Sequence, residues 1–338
     1  MSSHAHRTLG GLAVCLTAIA VVAGCSGKPA AAPRHTSTTT TTTAAPSPKP
    51  TPSLPGVPLT GGPVLAVKID NTPAGRPRIG LDQADVVYVE PVEGGLTRLM
   101  AVFSRHLPPL VGPVRSGRET DKDLLANYGP VALAYSGASS YTIGVLATGH
   151  QVNVVFDYGS RGFYRDYSRP APYNVIGNTA QLLARAGGGV RPRDIGFRYG
   201  SATSPGAPAT SVVASWPSST EELVWNPARK EYLVTSNGQS DISPTGRQYG
   251  ATTVVVQYVQ THLTPNRDVN GVQTPLADVI GTGAATVLRD GRVWRGTWSR
   301  TSALVPTAFT AAGTRVTFAP TGTVWVLLVS AGDTVSVR

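Results

Sequence analysis

The sequence predicts an α+β protein, in which an α/β half over residues 59–200 precedes an almost wholly β half over residues 201–338. In the first half, short apolar runs typical of strands alternate with segments of helical periodicity. From about residue 201, glycine, serine and proline become frequent, and the apolar runs that follow are separated by turn residues. The chain after residue 58 is long enough for one large or two modest domains.

The first half begins with three predicted strands. Pro63–Ile69 is an apolar run that ends at Asp70-Asn71, and Val86–Val89 and Leu99–Phe103 are two more. Pro91, Gly94 and Gly95 mark the turn between the second and the third strand. Two further strands are predicted at Val131–Tyr135 and Val152–Phe156.

Three helices are predicted between and after these strands. Ser116-x-x-Glu119 has the pattern of a capping box, and apolar residues recur at helical spacing after it, which predicts a helix that begins at Ser116. A short helix is predicted at Ser139–Ala147, and another at Thr179–Ala186, stopped by three glycines. Arg161–Pro172 lacks a period and is predicted to be a loop.

The second half is predicted to consist of hairpins. Leu223–Trp225 and Glu231–Thr235 face each other across a turn, and Thr252–Gln260 is a longer strand. Asp290-Gly291 is a strong hairpin signal between Thr286–Leu288 and Val293–Trp298, with its tryptophans expected in the core. Val324–Val329 is predicted to be the closing strand of the chain.

The first 24 residues have the features of a lipoprotein signal peptide. A weakly basic start is followed by an uncharged apolar run over Leu12–Val22, too short for a membrane span. Val22-Ala23-Gly24-Cys25 then matches the lipobox of bacterial lipoproteins, which predicts cleavage before Cys25 and a diacylglyceryl group on its thiol. Two acyl chains give a durable hold on a membrane, so we expect an anchor on the outer face of the cytoplasmic membrane.

Residues 25–58 are predicted to be a disordered linker after the lipidated cysteine. They contain eight prolines, six consecutive threonines at 38–43 and no acidic residue, so they offer little apolar surface to bury. At roughly 3 Å per residue such a tether reaches about 100 Å when extended.

Charge and composition exclude several classes of site. Four of the 29 basic residues and none of the 19 acidic residues precede residue 59, so the remainder carries a mild, dispersed net charge of +6. Nucleic-acid binding is therefore a poor fit. Cys25 is the only cysteine after the signal peptide, and His106, His150 and His262 have no metal-ligand spacing, so no metal or cofactor is predicted.

Four stretches resemble the YerB-like lipoprotein family, also called DUF3048. They are IDNTPAGRPRIGLDQADVVYVEPVEGGLTRLMAVF (69–103), GPVRSGRETD (112–121), GFYRDYSRPAPYNV (162–175) and GTWSR (296–300), in the family's order. The resemblance implies an N-terminal α/β domain packed on a β-rich C-terminal domain as a layered sandwich, and it implies no reaction. Where the family has Ala-Pro-His-Asn, this chain has Tyr173 in place of the histidine.

An anion site is the leading candidate for function. Arg115 and Arg118 flank the predicted helix start, where a phosphate or carboxylate would be favoured. Arg76, Arg98 and Arg169 lie in loops or at strand ends and could converge on the same place. The alternative is that these arginines form ordinary ion pairs with Glu93, Glu119 and Asp121, and that Asp70-Asn71 forms a turn. The candidate ligand-binding residues are Asn71, Arg76, Arg98, Arg115, Ser116, Arg118, Arg169 and Asn174.

Two carboxylates provide a weaker catalytic candidate. Glu90 and Glu93 flank Pro91, and a pair of carboxylates can supply the acid and base of glycoside cleavage. Three functions therefore remain: a non-catalytic envelope protein that binds an anionic wall glycopolymer, a lipid-linked intermediate or a wall-synthesis protein; a hydrolase of wall polymer; and a pure protein-interaction module. The first is the expected function.

Overall fold

A sheet of twelve strands runs through both halves of the chain in the computed structural model, which describes residues 62–187 and 193–338. The first half contains β1 Leu65–Asp70, β2 Val86–Pro91, β3 Thr97–Phe103, β4 Leu110–Val111, α1 Thr120–Ala126, β5 Ala132–Tyr135, α2 Ser140–Ala147, β6 Val152–Val155, β7 Phe163–Arg165, β8 Val175–Asn178 and α3 Thr179–Ala186. Short 3-10 helices lie at Pro73–Gly75, Leu81–Gln83, Glu93–Gly95 and Phe156–Tyr158.

The second half of the described chain consists of strands. They are β9 Ala207–Pro208, β10 Ser211–Trp216, β11 Ser219–Asn226, β12 Glu231–Ser236, β13 Gln239–Ser240, β14 Gly250–Ala251, β15 Thr253–Tyr258, β16 Thr261–Arg267, β17 Gln273–Ala277, β18 Gly281–Arg289, β19 Arg292–Arg300, β20 Ala308–Ala311, β21 Thr314–Arg315, β22 Val324–Val329 and β23 Thr334–Val337.

The large sheet is continuous across the predicted boundary at residue 200. Its order is β21-β20-β19-β18-β15-β22-β2-β3-β1-β5-β6, with β9 also paired to β19. β22 pairs in parallel with β2 on one side and with β15 on the other, so a strand from the C-terminal half joins the two groups. All six of its residues are buried, as expected for a continuous apolar run covered on both faces. The two halves of the chain thus share this sheet.

A second sheet covers part of the large one. β10 to β14 and β23 form six strands, in which β10 packs against β22 and β12 against β15. Side chains of β10 and β12 alternate between buried and partly exposed, the period of a strand with one covered face. The predicted strand at Val324–Val329 is confirmed, but the expectation that it closes the chain is wrong, because β23 follows and pairs with β10.

Two of the three predicted helices are confirmed, and the side chain of the preceding residue caps each of them. Asn178 precedes α3 and its side chain accepts a hydrogen bond from the Gln181 N–H at 3.0 Å, and Gly187, at φ +77°, follows the helix. Ser139 caps α2 in the same way through the Thr142 N–H at 3.0 Å.

The predicted capping box at Ser116 is wrong. α1 begins four residues later at Thr120, and Glu119 makes no capping bond. Residues 115–117 are instead extended and bonded to neighbouring backbone: the Arg115 N–H donates to the Lys68 carbonyl at 2.9 Å, and the Gly117 N–H donates to the Gly137 carbonyl at 3.1 Å. These bonds tie residues 115–117 to β1 and to the loop after β5, and the helix begins only after them.

The Asp290-Gly291 hairpin is confirmed. Both turn residues have positive φ, +53° and +68°, as a type I′ turn requires, and β18 and β19 extend it to nine residues each. A second hairpin, made of β16 and β17, forms a sheet of its own; we call residues 261–277 the cleft hairpin. The predicted loop at Arg161–Pro172 contains one short strand, β7, which pairs with β8.

The predicted signal peptide (1–24), Cys25 and nearly all of the chain up to β1 lie outside the described residues. Within the described part of the chain, the helices are too short and too polar for any of them to span a bilayer.

Candidate functional site

Three of the predicted arginines meet at one end of β1. The β1–β3 pairing places Asp70, the last residue of β1, opposite Arg98. The extended segment after Val114 runs beside β1, which brings Arg115 to the same end. Together with Arg118 they line a cavity of about 520 Å³, which we call the arginine cleft. Sequence spacing alone did not place these side chains together; strand pairing does.

Arg98 is the buried member of this group. Its side chain is 7% exposed, and its Nη1 atom lies 3.7 Å from Asp70 Oδ2. Neither Nε nor Nη1 makes a hydrogen bond within the described residues. Burial lowers the pKa of Arg98 to about 10, with Asp70 opposing this shift and Arg115 adding to it. The group is therefore still charged at neutral pH, and a buried charge with unused donors is costly unless an anion satisfies it.

Arg115 shares the same carboxylate. Its Nε atom lies 3.4 Å from Asp70 Oδ2, its Nη1 atom donates to the Pro172 carbonyl at 3.2 Å, and its guanidinium stacks 4.9 Å from the centroid of the Tyr173 ring. The other oxygen of Asp70 accepts bonds from Thr72 N–H and Oγ at 2.7 and 2.6 Å, which confirms a turn at this position. Two guanidinium groups thus face one carboxylate, and a net positive charge remains.

Arg118 is largely neutralised. Its Nη2 and Nε atoms donate to Glu93 Oε2 at 2.5 and 3.1 Å, and its Nη1 atom donates to the Gly117 carbonyl at 2.8 Å. The other oxygen of Glu93 accepts a bond from Thr274 Oγ at 2.6 Å. The ion-pair alternative considered for the arginines therefore holds for Arg118, which serves as part of the cleft wall.

The opposite wall comes from the cleft hairpin and from α2. Residues 266–270 line the cleft together with Ser139 and Thr142. Asn266 Nδ2 lies 2.9 Å from Glu119 Oε1, 3.1 Å from Thr142 Oγ1 and 3.0 Å from Thr274 Oγ1, so one amide ties the hairpin to the body of the protein. Sequence reasoning missed this wall, because no local pattern indicates that a hairpin 150 residues away returns to α1 and α2.

Arg76 and Arg169 do not reach the cleft. Arg76 donates to the Ser236 carbonyl and to the Gln239 side chain, on the smaller sheet. Arg169 donates to the Pro77 carbonyl at 2.8 Å and lies 3.3 Å from Asp166. Both arginines are thus engaged in holding loops, away from the cleft.

The two candidate asparagines are also held internally. Asn71 Nδ2 donates to Thr97 Oγ1 and to Glu221 Oε1, both at 2.7 Å, in a buried network. Asn174 Oδ1 accepts a bond from Arg165 at 2.8 Å. Ser116, by contrast, does line the arginine cleft.

The carboxylates Glu90 and Glu93 have separate roles. Glu90 is 1% exposed, lies 2.8 Å from Lys68 Nζ and is outside the cleft lining; Lys68 Nζ is also 2.8 Å from Asp121. Burial raises the pKa of Glu90 to about 8, Lys68 opposes the rise, and Asp121 adds to it. The two glutamates therefore do not face each other across a shared cavity.

No metal centre is apparent within residues 62–187 and 193–338. These residues include no group of three or more His, Cys, Asp or Glu side chains arranged to hold a metal ion. The three histidines of this part are exposed.

Comparison with known proteins identifies relatives of both halves. Residues 53–190 match the family described as "Protein of unknown function (DUF3048) N-terminal domain", and residues 212–326 match its C-terminal domain. The "Putative lipoprotein YerB" of Bacillus subtilis (strain 168) is 34% identical over 112 residues, which is 32% of this chain and 33% of that protein. The match therefore spans a third of that relative's length. The crystal structure of YerB from Bacillus subtilis has a TM-score of 0.69 and 21% identity, and the likeness covers 82% of this chain and 94% of that one. This structural likeness supports the fold described above.

Proposed function

This chain belongs to the DUF3048 family, a family of unknown function, and on that premise we propose that it is an extracytoplasmic lipoprotein whose arginine cleft binds an anionic component of the cell envelope. The candidates are an anionic wall glycopolymer, a lipid-linked wall intermediate and an acidic surface of a wall-synthesis protein. All three have in common a negative group that a cluster of guanidinium groups can bind.

The name of the B. subtilis relative supports an anchor at Cys25. The B. subtilis relative is named a putative lipoprotein, and the lipobox of this chain predicts the same attachment. The described chain starts at Gly62 and enters β1 at Leu65, and the strand then runs to Asp70 at the cleft. Six residues of strand extend about 17–20 Å. The entry point and the cleft therefore lie at opposite ends of β1.

Arg98 is the single observation on which anion binding rests. Within the described structure, its Nε and Nη1 atoms are buried and without hydrogen-bond partners, in a side chain that lines a cavity. Its nearest carboxylate, Asp70, is shared with Arg115 and also accepts two bonds from Thr72. An anion in the cleft would offset the excess positive charge of Arg98 and Arg115.

The carboxylates favour binding over hydrolysis. Glu90 is buried against Lys68, and both oxygens of Glu93 accept hydrogen bonds, from Arg118 and Thr274. A general acid or base must reach the proton it transfers. Neither residue is free to do so in this arrangement.

Binding of isolated anionic wall polymer and of inorganic phosphate to the full-length chain tests the proposal at low and high salt. Arg115→Ala removes a donor that is 14% exposed, and we expect a loss of about tenfold or more, since hydrogen bonds to charged groups contribute about 1.5–3 kcal/mol. Arg295→Ala, which changes an exposed arginine of β19, is the matched control. Equal affinities of the two variants would contradict the proposal.

A further inference from the structure

A second cavity lies on the other side of the cleft hairpin. It has a volume of about 480 Å³ and a mainly apolar surface. We call it the apolar groove and define it by the side chains that form most of that surface: Pro91, Trp216, Pro217, Leu263, Val272 and Pro275. No residue singled out by the sequence for ligand binding belongs to it.

The groove adjoins the arginine cleft. Val92, Glu93 and Arg267 line both cavities. A ligand that occupies both cavities would have to pass these three residues. The combined space is near the upper end of the range for small-molecule sites, about 300–1,000 Å³.

Apolar side chains of the groove are uncovered. Leu263 is 61% exposed and Val272 is 41% exposed, and both project from the cleft hairpin. Two uncovered apolar side chains beside a cavity that already contains Trp216 form a surface to which an apolar group can bind favourably.

Prolines limit the backbone donors in one part of the groove, while Thr261, Gln273 and Ser330 line the remainder. Pro91, Pro217 and Pro275 have no backbone N–H. Oδ2 of Asp333 accepts bonds from Ser330 N–H and Oγ, at 2.7 and 2.9 Å. A hydrocarbon chain needs no hydrogen-bond partner, so it suits the part of the groove formed by the prolines and by Leu263.

The cleft suits a head group with oxygens in several directions. Arg98 lies near the start of β3, Arg115 lies in the segment after β4 that runs beside β1, and Arg267 lies on the cleft hairpin, so the donors approach from three separate elements. A phosphate ester presents oxygens on several sides and still has a bond to continue a chain, whereas a carboxylate presents two oxygens in one plane.

Building on the proposed function, we infer that the ligand is an anionic amphiphile, namely a phosphate ester that carries a hydrocarbon chain. The phosphate lies against Arg98 and Arg115, and the chain passes Arg267 into the apolar groove over Leu263. The arginine cleft thus selects the charge, and the groove adds affinity in proportion to the length of the chain.

A homologous series of ligands tests this inference on the full-length chain. Isothermal titration calorimetry with inorganic, ethyl, butyl and octyl phosphate, each below its micellar concentration, measures the effect of chain length. A methylene that is fully buried is expected to tighten binding about fourfold. Even half burial of four added methylenes predicts that octyl phosphate binds about tenfold more tightly than butyl phosphate.

A variant of the groove locates the chain. Leu263→Ser is expected to remove most of the tenfold gain between butyl and octyl phosphate and to leave inorganic phosphate binding unchanged. Leu304→Ser is the matched control, because Leu304 is 44% exposed and lines neither cavity. Octyl glucoside, which has the chain without the charge, is expected to bind at least tenfold more weakly than octyl phosphate.

The outcomes separate the two proposals. Phosphate binding without dependence on chain length, or an equal effect of the two leucine variants, overturns the amphiphile and leaves anion binding in place. Octyl glucoside that binds as tightly as octyl phosphate also overturns it. Failure of every phosphate and of anionic wall polymer to bind overturns the proposed function, and this inference with it.

Discussion

Replacing Glu90 by glutamine is expected to stabilise the protein increasingly as pH rises from about 5 to 8. Glu90 is buried beside Lys68 and Asp121, and burial raises its pKa to about 8 from an ordinary value of 4.5. Between these two pH values the folded chain keeps the proton that the unfolded chain releases. The folded state therefore binds more protons, and its stability falls as pH rises through this window.

The size of this change in stability follows from the difference between the pKa of Glu90 in the folded chain and its ordinary value. At about 1.4 kcal/mol per pH unit, a rise from 4.5 to about 8 corresponds to about 5 kcal/mol as an upper limit. Glutamine resembles the protonated acid and does not titrate, so Glu90→Gln lacks this loss. We expect the variant to be close to the wild type at pH 5 and a few kcal/mol more stable at pH 8.

Urea unfolding of the full-length chain at pH 5, 6, 7 and 8 measures the difference, and tryptophan fluorescence follows the transition. Glu222→Gln is the control, because Glu222 is a partly exposed glutamate of β11 outside the ion pairs found among the described residues. If the free energy of unfolding changed with pH in the same way for the wild type and for Glu90→Gln, the reasoning would be refuted. A variant strongly destabilised at pH 8 would show that Glu90 is ionised and needed by Lys68.

Three further changes have distinct expected results. Gly296→Ala would place a Cβ 1.8 Å from the Thr310 carbonyl oxygen, so we expect about 1–3 kcal/mol of destabilisation, with hydrogen exchange rising first in β20; unchanged stability would contradict the packing of this edge. Asn266→Ala is expected to speed hydrogen exchange across residues 261–277 at least about fivefold, because it deprives Glu119 of a buried donor; unchanged exchange would show that the amide does not hold the hairpin. Cys25→Ala is expected to release the protein from membranes in cell fractionation, and a variant that still sediments with them would refute the lipobox.

Local structure was predictable where a single segment contains its own signal. α3 has its predicted bounds, because an asparagine cap and a following glycine set both ends. The β18–β19 turn was equally clear, because Asp290-Gly291 tolerates positive φ. Ser116 shows the limit of such patterns: the capping motif is present, but backbone bonds from residues 115–117 to Lys68 and Gly137 override it.

The site was predictable in part. Arg115 and Arg118 were chosen because they flank the predicted helix start, and Arg98 because it lies at a strand end; strand pairing brings the three together. Arg98 shared its criterion with two other arginines. Arg76 and Arg169 also lie in loops, but they do not line the cleft. Each is held by a hydrogen bond to a residue far along the chain, Ser236 for Arg76 and Pro77 for Arg169. The cleft hairpin, which lines both the cleft and the apolar groove, lies more than a hundred positions after Arg98, Arg115 and Arg118. No local hydrophobic periodicity predicts that it packs beside them.

The position of β22 has a consequence for the order of events during biogenesis. The centre of the sheet is occupied by almost the last strand to be synthesised, and both of its neighbours were made earlier, one of them more than 200 residues before. Until residues 324–329 emerge, β2 and β15 each expose an unpaired edge and cannot meet. The large sheet can therefore be completed only when residues 324–329 are available to pair with both strands. A chain truncated before β22 would leave the two groups of strands without the strand that joins them.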